Sequence, residues 1–271
     1  MTLTLITTLT ISPRTNFQDI SDAFSSNEVS ITGLSALLFV LLLHWLNPLT
    51  STRLQDLLSR DSMERQFLPG FFKGAFLAAC LMVVFLLTGV YRYLGYFIPF
   101  EELPLELLNG VLRMSALMAL VYCEEYLFRN RFIHELIGKF PPWLIAQYSA
   151  LLYCGAKILQ FDLGIMQLIT LYLVSWSLFL RLHGGTRFAQ GAGIWAAILI
   201  IFHPLLSLPI FGNEFSGILL IRFPKEWTHT AFRFLSGGAG GPLASFAFQL
   251  ILIIDISQHL LRSKLKPLQK G

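Results

Sequence analysis

The sequence predicts an all-α fold, a polytopic transmembrane helical bundle of about seven spans. Three observations carry that prediction. Hydrophobic residues make up 55% of the chain and charged residues only 13%, where a soluble domain carries about 25% charged residues. Mean hydropathy is +0.64. Apolar runs of near-spanning length recur along the chain, separated by short polar links that hold most of the arginines. This pattern excludes an ordinary soluble domain. No basic surface cluster points to nucleic acid, so none is expected as a partner. The 271 residues suit one compact bundle, because no linker, repeat or low-complexity tract divides them.

A spanning helix needs about 20 mostly apolar residues. The runs that qualify are 31–47, 69–91, 105–128, 142–158, 163–182, 190–210 and 242–261. Residues 1–29 form a short extramembrane segment, 30–262 the bundle, and 263–271 a basic cytoplasmic tail. The first of these segments alternates Thr, Leu and Ile, a strand pattern. It lacks the basic n-region and small-residue cleavage site of a signal peptide. Between the last two spans, Asn213 to Gly241 has turn residues and a short apolar run, Ile218 to Ile221, and reads as a partly ordered loop, re-entrant or a short strand. Within it "SGGAGG", Ser236 to Gly241, lacks the Lys-Ser/Thr of a phosphate loop and reads as a flexible lead into the last span.

The Lys and Arg bias sets orientation. Twelve lie on the side of Arg53, Arg129, Arg181 and Lys264, and six on the side of Arg14, Arg92, Lys157 and Arg222. The carboxy terminus is therefore expected in the cytoplasm and the amino terminus outside, in an integral protein of a bacterial inner (plasma) membrane. Trp45, Tyr91, Tyr96, Trp143 and Trp227 fall near span ends, where aromatic belts form. Cys80, Cys123 and Cys154 sit in apolar runs without CxxC spacing and read as small buried side chains.

Ionisable residues inside a span are expensive, so each is a functional candidate. Glu125 and Arg129 are i and i+4, on one helix face in the favourable order, and read as a structural pair. Glu124 lies about 100° around the helix and is left to face something else. An unpaired carboxylate in a low-dielectric cavity is a candidate general base; the alternative is that both glutamates are solvated at the cytoplasmic interface. Lys157 reads as snorkelling to the outer interface. His203 precedes Pro204, which removes a backbone donor and should break the helix there. Asp255 and His259, again i and i+4, read as a surface pair near the cytoplasmic end. There is no HExxH or GxSxG pattern, and no metal or other cofactor is expected.

"EEYLFR", Glu124 to Arg129, resembles the EExxxR motif of the CAAX-protease and bacteriocin-processing (CPBP, or Abi) family of intramembrane proteases. That family places FxxxH and HxxxN/D motifs on later spans. Here Tyr153 and Lys157 stand at the Phe and His positions of the second, and His203 and Ser207 at the ends of the third. "GIWAAI", Gly193 to Ile198, resembles the approach to the third motif. The resemblance covers roughly residues 60–220, with a core at 105–212. It implies a helical bundle in which Glu124 is the catalytic base and His203, with Ser207, forms an oxyanion site. Glu125 and Arg129 would be the structural pair, and Lys157 would replace the histidine that helps activate water.

Lysine has no acceptor. If Lys157 reaches Glu124, the two form a buried ion pair that occupies the base. A desolvated neutral lysine could instead serve as base. The sequence thus supports three functions. One is a glutamic-type endopeptidase acting on a membrane-embedded or lipidated peptide. The second is a degenerate relative that binds a membrane partner or builds a membrane complex. The third is a small transporter or channel subunit, which lacks the expected inverted repeats. Membrane lipid surrounds the chain in every case.

Overall fold

The structure, a computed structural model, describes residues 63–96, 103–136, 138–183, 188–210, 217–224 and 230–265. The expected span 31–47 and the segment 1–29 lie outside the described residues, as does the tail beyond Leu265.

The described residues are mostly helical. A π turn, Met63–Phe67, leads into α1, Leu68–Leu87, which has Pro69 in its first turn, where the missing N–H is tolerated. The helix stops at Thr88, whose hydroxyl donates to the Val84 carbonyl at 2.8 Å, and Gly89 turns the chain with φ +73°. Four residues of the predicted span 69–91 therefore leave the helix. The next strand, β1 (Arg92–Tyr96), pairs antiparallel with β2 (Leu219–Arg222), with an irregularity between Tyr93 and Gly95. One of the two alternatives read for that loop, a short strand, is thus present, and its partner is a segment that the sequence did not mark.

Helix α2, Leu103–Glu125, runs through a π turn, Tyr126–Arg131, into α3, Phe132–Leu136. Then follow α4 (Pro142–Gln160), α5 (Ile165–His183) and α6 (Phe188–Ile200). Helix α6 loosens into a π turn, Ile201–Leu205, at Pro204, as a residue without an N–H demands. After β2 come α7 (Thr230–Ser236), two 3-10 turns, and α8 (Phe246–Leu265). Among the described residues, three helical stretches are long and apolar enough to cross a membrane: Arg65–Leu87, Ile165–Leu182 and Phe188–Leu205. The apolar stretch of α8, Phe246–Leu261, is shorter.

Helix α6 is the centre. It is apolar almost all round and nearly every residue is buried, as such a helix requires. Helix α1 crosses it at backbone contact. A Cβ at Gly70 would lie 2.2 Å from the Gln190 carbonyl oxygen, one at Gly74 2.2 Å from that of Ile194, and one at Gly193 2.3 Å from that of Phe67. Phe188 packs edge-on against Tyr122, with centroids 5.3 Å apart, and also meets Tyr126, so the start of α6 lies beside the end of α2.

The glycine-rich lead into α8 is a packed junction, contrary to the flexible segment expected. Gly241, at φ +76°, lies so close to the Pro209 carbonyl that a Cβ would sit 1.9 Å from it. The Tyr91 hydroxyl donates to the Ser236 carbonyl at 3.1 Å. Gln167 Nε2 donates to the Gly240 carbonyl at 3.1 Å and to that of Ile210 at 3.3 Å. The glycines are there for close approach and left-handed backbone.

Candidate functional site: a buried carboxylate between α2, α4 and α6

The last turn of α2 sends its two glutamates in different directions. Glu125 pairs with Arg129 of the π turn that follows, and both are 1% exposed. The guanidinium is capped by the Tyr153 ring, whose centroid lies 4.8 Å from Cζ. Glu124 faces α4 instead. Tyr153 and Lys157, one turn apart on α4, both reach it: Lys157 Nζ lies 2.5 Å from Oε1, and the Tyr153 hydroxyl donates to Oε2 at 3.3 Å. Trp195 Nε1 on α6 then donates to the Tyr153 oxygen at 3.0 Å. The Lys157 ammonium also lies over the Phe161 ring, 5.4 Å from its centroid.

Two readings from the sequence are corrected. Lys157 does not snorkel to an interface; it is 2% exposed and turned into the protein. Nor are the glutamates solvated, since both are buried. The physical reason is the same for each. Each buried carboxylate has its own counter-charge, Lys157 for Glu124 and Arg129 for Glu125.

His203 and Ser207 sit elsewhere. His203 is buried, and its Nδ1 lies 3.2 Å from the Leu208 carbonyl oxygen. It lies on the π turn that follows α6, twelve residues past Gly191, whose added Cβ would sit 4.0 Å from Glu125 Oε2. His203 lies eight residues past Trp195, about 12 Å at helical rise. Among the described residues no hydrogen bond joins His203 to Glu124 or Lys157. The carboxylate and the ammonium expected in one pocket are together, then, while the imidazole lies about three helical turns along α6 from the residue that faces Glu125.

Ser207 closes the helix end. It has φ +54°, its N–H donates to the His203 carbonyl at 3.0 Å, and its hydroxyl accepts the Gly217 N–H at 2.8 Å. Ile218 N–H donates to the Pro204 carbonyl at 3.1 Å, so the strand-bearing segment is fastened to this turn by two bonds. Ser207→Ala would leave the buried Gly217 N–H without its acceptor. We expect a loss of about 1–3 kcal/mol, read as a lower midpoint in denaturant titration of the purified protein; an unchanged midpoint would show that the hydroxyl does not hold that segment.

Asp255 does face His259, with Nε2 3.8 Å from Oδ1, but that contact is the weaker part of its surroundings. Arg181 on α5 pairs with Oδ1, and the Ser177 hydroxyl donates to Oδ2 at 2.6 Å. The surface pair expected from spacing is therefore a partly buried interhelical cluster.

Sequence reading missed Trp195, the Tyr153 hydroxyl and Arg181. A usable signal existed for Tyr153: a tyrosine where the resembled motif has Phe brings a hydroxyl that needs a partner once buried.

Chemically, the site holds a carboxylate whose two oxygens are taken, one by an ammonium and one by a phenol. Among the described residues there is no group of three His, Cys, Asp or Glu side chains able to hold a metal ion. Compared with protein-family models, with curated proteins and with solved structures, the chain matches none.

Proposed function

We propose that this chain is a membrane-embedded, CPBP-type helical bundle of about seven spans that serves as a binding or structural subunit of a membrane complex, its peptidase site occupied from within by Lys157. The observation that carries this reading is the 2.5 Å contact between the buried Lys157 ammonium and Glu124. A general base needs a lone pair turned toward water, and an ammonium bound at that oxygen blocks it. Lysine cannot accept a proton from water while charged, so it does not replace the family's histidine in kind. Ser207, engaged by the Gly217 N–H, adds support. The positive-inside bias supports an amino terminus outside and a cytoplasmic carboxy terminus.

A second reading, an active glutamic-type endopeptidase on a membrane-embedded or lipidated peptide, is favoured by Glu124 itself, buried at the position where the resembled motif has its base. Purified wild type, Glu124→Ala and Lys157→His, assayed on a lipidated peptide, separate the two. We expect wild type and Glu124→Ala to show the same background. Cleavage by wild type that Glu124→Ala abolishes would overturn the proposal. Cleavage gained only by Lys157→His would mark the native chain as a retired enzyme. Affinity purification from mild detergent is expected to bring down a stoichiometric membrane protein.

A further inference from the structure

Between α1, α5, α6 and α8 lies a cavity of about 80 Å³ that no part of the preceding argument uses. Its lining is mostly apolar, with Leu77, Ile198 and Leu252 among it. Its polar members are Ser177, Arg181 and Asp255, and the last two are joined as an ion pair whose side chains are 19% and 21% exposed. Trp195 forms part of the same lining, and its indole N–H is the one that holds Tyr153. The cavity and the Glu124 site thus share a wall.

We infer that this cleft binds a membrane phospholipid with a zwitterionic, primary-ammonium headgroup, its phosphate at Arg181, its ammonium at Asp255 and part of an acyl chain along Leu77, Ile198 and Leu252. The mixed lining selects an amphiphile, since a free ion has no use for an apolar wall and a hydrocarbon none for the ion pair. The signs select the headgroup. An anionic lipid would meet Asp255 together with Arg181, and a cationic one the reverse. A zwitterion laid antiparallel to the pair opposes each charge with its complement. Guanidinium suits phosphate because its planar fork offers five donors. A carboxylate has about four lone-pair positions and can take an ammonium N–H beside the Arg181 and Ser177 donors. His259, 3.8 Å from the same carboxylate, is the further titratable group facing it. Depth agrees: Arg181 lies two residues from the end of α5, where a spanning helix meets the headgroups. An ammonium bearing three methyl groups has no N–H to donate, so phosphatidylcholine should bind worse than phosphatidylethanolamine with the same chains.

The inference rests on the membrane reading of the proposed function, and the experiment tests the two separately. The full chain, expressed in cells, is fractionated, purified from the membrane in detergent, placed in nanodiscs with equal phosphatidylethanolamine, phosphatidylcholine and phosphatidylglycerol of matched chains, and examined by native mass spectrometry. We expect retained phosphatidylethanolamine to exceed phosphatidylcholine at least fivefold in the wild type. Asp255→Asn and Arg181→Gln should bring the ratio to near one. Leu252→Trp, which adds bulk to the apolar lining, should remove bound lipid of every kind. Equal retention of the two lipids by wild type, a preference for phosphatidylglycerol, or a preference that survives Asp255→Asn would overturn the site. The wild-type comparison stands even if a variant fails to fold. Recovery of the chain in the soluble fraction would overturn the membrane reading and this site with it.

Discussion

Lys157→Met should lower the unfolding free energy by about 3–5 kcal/mol, because it leaves the Glu124 carboxylate buried without its counter-charge. The wild-type pair is at 2.5 Å, and both members are withdrawn from solvent. The Tyr153 hydroxyl can still donate to Oε2, but a single neutral donor does not replace an ammonium. Glu124→Gln alone should also be costly, since it leaves the buried Lys157 ammonium without its counter-charge even though the amide can still accept from Tyr153. The decisive measurement is the double variant. Glu124→Gln with Lys157→Met removes both charges and should unfold within about 1 kcal/mol of wild type, since a buried pair exchanged for neutral groups is often neutral or stabilising. The coupling in the cycle should then exceed about 2 kcal/mol. Purified protein in detergent, titrated with a denaturing surfactant, gives all four values. Simple additivity of the two single changes would mean the ion pair is not formed in solution, and the proposed function would lose its main support.

How much of this could be read in advance depended on how local each interaction is. Glu125 and Arg129 are joined by helix geometry alone, and four-residue spacing was enough to pair them. Glu124 and Lys157 are 33 residues apart. Periodicity could free Glu124 but could not say what it faced; only the motif resemblance set Lys157 opposite it. The same limit explains Asp255. Spacing offered His259, while the closer partner, Arg181, is 74 residues away. A single Arg and a single Asp interrupting two apolar runs are complementary, yet nothing in either run says that the two helices touch. Gly237, Gly238 and Gly241 show a different failure. Composition equates glycine with looseness, but here a left-handed backbone and contact with Pro209 demand it. The helices themselves were legible because apolar length needs no tertiary information. Their ends were less so: Thr88 and Gly89 halt α1 inside a run that remains apolar, and the π turn at Ile201–Leu205 answers to Pro204.

The helix crossing beneath the site yields the other large effect. Gly74→Leu should cost more than about 4 kcal/mol or prevent recovery of folded protein, a size reserved for changes that break a specific structural feature. The reason is that the obstacle is backbone. The added Cβ would sit 2.2 Å from the Ile194 carbonyl oxygen and 2.8 Å from its Cα, so no side-chain rotation relieves it and α1 must move off α6. Small residues at such crossings let two helical backbones approach within membranes. Gly155 and Gly110 are the matched controls, for a Cβ at either meets nothing within 4 Å. Gly110→Ala and Gly155→Ala should therefore be neutral or stabilising by up to about 1 kcal/mol, as alanine is in a helix interior. The consequence extends to the site. Trp195 follows Ile194 directly on α6 and holds the Tyr153 hydroxyl that reaches Glu124. Displacing α6 at Ile194 should loosen the Trp195–Tyr153 bond before the ion pair itself is touched. Gly74→Ala, the milder change, should accordingly reduce the Glu124–Lys157 coupling energy measured by the same cycle. If Gly74→Ala keeps both the full coupling and wild-type stability, then α1 does not brace α6, and the carboxylate is held by α2 and α4 alone.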